Sequence, residues 1–103
     1  MEKVYVVFID WATSDGEWVD HYVYSKFDNA YKRFKQLIYD EMNSKISWIR
    51  TIEFGKDGYP VDCDRYDFDV DDSSGEYNLK WYIKDKYNIH QYTYITLQEL
   101  EVM

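Results

Sequence analysis

The chain has 103 residues, 46% of them aliphatic or aromatic, and its 20 acids against 12 bases leave a net charge of −8. That length fits one hydrophobic core, so residues 1–103 are read as a single domain, and the 12 Tyr, 5 Phe and 4 Trp bring enough apolar area to fold it without a cofactor or a metal. The charge disfavours direct binding to DNA or RNA, which relies on Lys and Arg displacing counterions, and the single cysteine, Cys63, excludes an intrachain disulfide or a Cys-based zinc cluster.

The first apolar run ends at Asp10 and is too brief for a signal peptide or a membrane span, so a cytoplasmic location without a membrane partner is expected. A lone cysteine fits the same reducing compartment. Residues 3–11 (KVYVVFIDW) are rich in β-branched and aromatic side chains on both faces and read as a central strand. A turn at 13–16 leads to a second strand at 17–24 (EWVDHYVY), a hairpin in which Gly16 supplies a positive φ. Asp28 is a candidate N-cap for a helix over about residues 28–44, where Ala30, Phe34, Leu37, Ile38, Glu41 and Met42 recur at spacings of three and four.

Residues 46–54 (ISWIRTIEF) read as a further strand, with a turn at 55–58 opening another hairpin. Two more strands are expected at 79–87 and 89–97, and Thr96-Leu97-Gln98-Glu99 matches a capping box that predicts a terminal helical turn. The order β-β-α-β-β-β-β gives an α+β class, an antiparallel sheet of about five or six strands with one main helix packed on a face.

The charge is unevenly placed. Residues 57–76 hold eight acids (Asp57, Asp62, Asp64, Asp67, Asp69, Asp71, Asp72, Glu76) against the one base Arg65, a net of −7 that leaves the rest of the chain nearly neutral. If residues 65–71 are extended, a period of two sends Asp67, Asp69 and Asp71 to one face and Tyr66, Phe68 and Val70 to the other. Same-face neighbours then lie roughly 6.6 Å apart, comparable to the ~6 to 7 Å between successive phosphates of a DNA strand. The bland alternative is a solubilising edge that blocks sheet-to-sheet aggregation, although three like charges on one strand face cost some stability. Calcium is a third reading, but an EF-hand loop laid on Asp67, Asp69 and Asp71 finds Asp72 in place of the glycine and Asn78 in place of the bidentate glutamate.

Catalytic motifs are sparse. His21 and His90 are not in metal-ligand spacing, and Cys63 lies between Asp62 and Asp64, which disfavour its thiolate. No glycine-rich phosphate loop, nucleophile elbow or zinc motif occurs, so a non-catalytic protein without cofactors is expected. Tyrosine is unusually frequent, with Tyr77, Tyr82, Tyr87, Tyr92 and Tyr94 concentrated after the acidic segment; it suits both strands and interfaces.

In size, acidity, tyrosine content and the aspartate pattern from Asp62 to Asp72, the chain resembles the small counter-defence proteins of phages and mobile elements, particularly anti-CRISPR proteins that act as DNA mimics. The likeness is one of profile and carries no family motif. It implies an inhibitor that binds a nucleic-acid-handling protein, such as a CRISPR effector nuclease, and blocks its basic DNA-binding surface with phosphate-like charge. The expected partner-binding residues are Asp62, Asp64, Asp67, Asp69, Asp71, Asp72 and Glu76, with Tyr66 and Tyr77 as apolar anchors. The alternative is a non-catalytic adaptor or structural module that binds a protein through an aromatic sheet face or by strand addition, with no metal site in either reading.

Overall fold

Alternating and β-branched sequence at both ends of the chain builds most of the molecule. The structure is a computed structural model that describes residues 2–44, 47–62, 64–71 and 78–102. Strand β1 (Glu2–Thr13) turns through Ser14 and Asp15 into β2 (Gly16–Tyr24), with Thr13 opposite Gly16 and Tyr5 opposite Tyr24. Gly16 has a φ of +156°, positive but near the extended limit, and the Asp15 amide donates to Thr13 Oγ1 at 3.2 Å. Helix α1 (Phe27–Asn43) follows, and after a loop region come β3 (Tyr66–Asp71), β4 (Leu79–Asp85) and β5 (Tyr92–Val102). The strands form one antiparallel five-stranded sheet in the order β2-β1-β5-β4-β3, an α+β fold in which β1 and β5 are central and β2 and β3 are the edges.

Among the described residues, a helix covers one face of this sheet. Alternate residues Val7 and Ile9 of β1, Ile95 and Leu97 of β5, and Trp81 and Ile83 of β4 point to it, and Ala30 and Phe34 of α1 with Ile49 and Ile52 of the segment after the helix complete the cluster. These residues are buried at 7% exposure or less. From β3 the same side receives Tyr66, Phe68 and Val70, which pack on the core as the period of two requires. The shortest dimension, 21 Å, is that of one helix layer on one sheet layer, each about 10 Å thick.

Four local expectations are corrected. The helix begins at Phe27, with Lys26 as N-cap and no side-chain capping bond, so Asp28 lies inside the first turn and favours the helix only through its dipole. Phe27 takes the earlier start because its ring packs edge-on against Tyr5 at 5.8 Å and stacks on Tyr31, one turn later, at 5.6 Å. Ile46 lies outside the described residues, and residues 47–54 do not form the expected strand; Trp48–Thr51 is a short 3-10 helix capped by Ser47, whose Oγ accepts from the Ile49 amide at 3.2 Å. The three-residue turn places Ile49 and Ile52 on one side, both buried in the core, whereas a strand would have put them on opposite faces.

The hairpin expected around 55–58 is reduced to a turn closed by one isolated bridge between Phe54 and Pro60. Gly58 takes φ +80° there, and its amide donates to the Gly55 carbonyl at 3.0 Å. The capping-box residues 96–99 remain in β5, because β1 starts early enough to pair with them, from Val7 opposite Leu97 to Glu2 opposite Val102. A ready ladder outcompetes a local helical cap.

The β4–β5 connection is held by a buried carboxylate. Asp85 is 2% exposed; its Oδ1 accepts from the amides of Tyr87 (2.9 Å) and Asn88 (3.2 Å), and Arg65 Nη2 approaches Oδ2 at 3.5 Å. The guanidinium is half-exposed and distant, so the two amide bonds carry most of the effect. Asp85→Ala is expected to destabilise the fold by about 1–3 kcal/mol, read as a lower urea midpoint at unchanged slope.

Candidate functional site

Among the described residues, the other face of the sheet carries no helix. By the strand register it presents Glu17, Val19, His21 and Val23 from β2, and Val6, Phe8, Asp10 and Ala12 from β1. The remaining strands add Tyr92, Tyr94 and Thr96 from β5, Lys80, Tyr82 and Lys84 from β4, and Asp67 and Asp69 from β3. Tyr82 and Tyr94 stand opposite each other and stack, with centroids 5.1 Å apart and rings at 18°, while Tyr92 meets Tyr94 edge-on at 5.4 Å. The result is an aromatic row next to a carboxylate row on one uncovered surface.

The expected acidic residues are placed as follows. Asp67 and Asp69 lie on the uncovered face, as the alternation predicts. Asp62 and Asp64 are exposed just before β3, where the Asp62 carbonyl accepts from the Arg65 amide at 3.3 Å. Asp71 ends β3 opposite Lys80, but its side chain lies outside the description, and Asp72, Glu76, Tyr77 and Cys63 lie outside the described residues. Tyr66 is not brought to the carboxylates: it points to the helix side, 6.3 Å from the Trp48 ring with Arg65 over its own ring. Among the described residues, the tyrosines that join the acids are Tyr82, Tyr92 and Tyr94.

The register also adds lysines that a charge count along the chain could not place. Lys84 stands opposite Asp67, and Lys80 reaches diagonally to Asp69 with Nζ–Oδ2 of 3.0 Å. The Tyr82 hydroxyl donates to Asp67 Oδ1 at 3.2 Å, the same diagonal relation. Both partners of the Lys80–Asp69 pair are nearly half-exposed, so it contributes little, about 0–1 kcal/mol, and a competing cation can displace it.

The face has an anionic character that registers in its own titration. Burial raises the Tyr82 phenol above 10.0, and the Asp67 charge adds to the rise; burial and then the charges of Asp10 and Glu17 raise Tyr92. Asp10 is pushed upward by burial and then by Glu17. A phenol raised in the folded state favours its protonated form, so this stabilisation is complete below pH 10.0 and is lost as pH climbs through the raised folded values. In a spectrophotometric titration Tyr82 and Tyr92 are expected to ionise above the ordinary range of a phenol. Asp67→Asn should return only part of the Tyr82 shift, because burial is the larger cause.

A second feature lies on the helix side, at the end of the β1–β2 hairpin. Trp11 and Trp18, opposite each other in the register, stack at 5.7 Å and 21°, and with Trp48, Asp15, Glu41 and Ser47 they line a pocket of about 530 Å³. Trp48 Nε1 donates to Thr93 Oγ1 (3.1 Å), Thr93 Oγ1 donates to Glu41 Oε1 (3.2 Å), and Ser47 Oγ donates to the same oxygen (2.8 Å). Thr93 is fully buried, so Thr93→Val, which orphans the Trp48 N–H, should cost about 1–3 kcal/mol in a thermal or urea melt. The sequence signal for this pocket was four tryptophans in a short chain, and only the hairpin register brings two of them together.

Among the described residues no three His, Cys, Asp or Glu side chains are grouped as a metal site, and no helix is long and apolar enough to cross a membrane. The fold and surface define a two-layer α+β protein with a single helix-covered sheet and an aromatic, acid-lined open face. No protein-family model, curated protein sequence or solved structure matches the chain.

Proposed function

We propose that the chain is a non-catalytic binding protein that docks its uncovered sheet face onto a basic surface of a nucleic-acid-handling protein and blocks access of DNA, in the manner of a DNA-mimic inhibitor. The observation that carries this reading is that Asp67 and Asp69 share one open surface with the stacked Tyr82–Tyr94 pair. Tyrosines supply large apolar area at low entropic cost, and carboxylates select and steer a cationic partner. The weak Lys80–Asp69 pair can yield to an incoming arginine, which makes a bidentate contact that lysine cannot. A CRISPR effector nuclease, with arginines that read its target-flanking motif, is one partner of this chemistry.

The test is competition. A protein captured from a bacterial lysate on the immobilised chain should release it when duplex DNA is added, and its own DNA binding should fall as the chain is titrated in. A captured protein that holds DNA and the chain together would contradict the proposal.

A second reading, an adaptor that binds by strand addition, is favoured by one feature. Edge strand β2 runs for nine residues and exposes Val19 (67%) and Val23 (59%), the kind of apolar edge that accepts another strand. Its affinity should barely respond to salt, whereas affinity through the acidic face should fall as ionic strength rises.

A further inference from the structure

We infer that the tryptophan pocket at the end of the β1–β2 hairpin is a receptor for an arginine side chain presented by a partner protein. The inference is independent of the sheet-face reading, because the pocket lies on the helix side of the sheet. Three indoles, Trp11, Trp18 and Trp48, supply its aromatic surface, and two carboxylate residues, Asp15 and Glu41, supply its charge; no lysine or arginine among the described residues lines it. An aromatic surface with acidic rims and no base is complementary to an organic cation, since the negative face of an indole attracts a positive charge within about 6 Å of its centroid.

The geometry favours guanidinium over ammonium. The Trp11–Trp18 stack is nearly parallel, at 21°, so it offers a planar face on which a planar cation can lie. Guanidinium stacks on aromatic faces and is less strongly hydrated than ammonium, so it loses less on leaving water. The pocket is also built in advance. Trp48 is fixed by its bond to buried Thr93, and two hydroxyls, from Ser47 and Thr93, converge on Glu41 Oε1. A volume of about 530 Å³ takes the head group together with the methylene stem lying along the indoles, so the occupant is a whole side chain projecting from a partner.

The indole N–H signals in a nitrogen–proton correlation spectrum read this directly, because three of the four tryptophans line the pocket and Trp81, 4% exposed in the core, is an internal control. Titrating N-acetyl-arginine amide should move the Trp11, Trp18 and Trp48 signals along one saturable curve and leave Trp81 in place. N-acetyl-lysine amide and tetramethylammonium should bind more weakly. Glu41→Gln keeps an acceptor for Ser47 and Thr93 and should weaken arginine binding about tenfold, equal to about 1.4 kcal/mol. Trp18→Ala, at a side chain already 43% exposed, should abolish the response without disturbing Trp81. The inference is overturned if no saturable shift occurs, if lysine matches arginine, if Trp81 moves with the others, or if Trp18→Ala binds like the wild type.

Discussion

Replacing Phe34 with alanine is expected to cost about 3–5 kcal/mol, a large share of the stability of so small a domain. Phe34 is 1% exposed and, with Ala30, is one of two fully buried residues on the main helix that packs on the sheet. Truncation would leave a cavity in the core cluster where α1 meets β1 and β5, whose side chains are held in the sheet ladder and cannot close together over it. At roughly 4–8 °C per kcal/mol for a domain of this size, the melting temperature followed by circular dichroism should fall by ~12 °C or more. A loss below about 1 kcal/mol would mean that the helix does not seat on the sheet through this residue.

Changing Asp67, Asp69 and Asp71 together to asparagine should reduce affinity for the basic partner about a hundredfold, since losing two charge-assisted hydrogen bonds of about 1.5 kcal/mol each is already enough. Asparagine is the informative replacement. Lysine at these positions would stand opposite Lys80 and Lys84, and cross-strand repulsion would add a fold defect to any binding defect. The asparagine variant removes repulsion between the aspartates, keeps an acceptor for the Tyr82 hydroxyl at position 67, and among the described side chains loses one weak surface ion pair, so its melting temperature should stay close to that of the parent. Affinity measured by calorimetry with a captured partner separates the two effects.

Much of this arrangement was legible in the chain. The period of two in residues 65–71 assigned Asp67 and Asp69 to one face and Phe68 and Val70 to the other without knowledge of their neighbours, because alternation is a property of the strand itself. The helix was equally readable from Ala30, Phe34 and Met42. What resisted reading depends on partners distant in sequence. Residues 46–54 have strand-like composition, yet Ile49 and Ile52 had to reach one core together, which selected a three-residue turn. Thr96 to Glu99 carry a helix-capping pattern that the waiting edge of β1 overrides.

The site divides in the same way. That Lys80 and Lys84 would face the aspartates follows from the β3–β4 register, and that Tyr82, Tyr92 and Tyr94 would join them follows from the β4–β5 register. Asp67 and Asp69 are therefore one border of a mixed aromatic and charged surface. Its value to a partner lies in the combination, since the tyrosines give contact area while the exposed, weakly held carboxylates give selection by charge.

Hydroxyl-radical footprinting of the chain alone and in complex with a captured partner tests the docking face most directly, because tyrosines on the two sides of the molecule report separately. Tyr94, 36% exposed on the uncovered sheet face, should become protected together with Tyr82 and Tyr92, while Tyr39, 63% exposed on the helix, should react as it does in the free protein. Protection of Tyr39 with Tyr82, Tyr92 and Tyr94 unchanged would contradict the assignment of the open face as the binding surface.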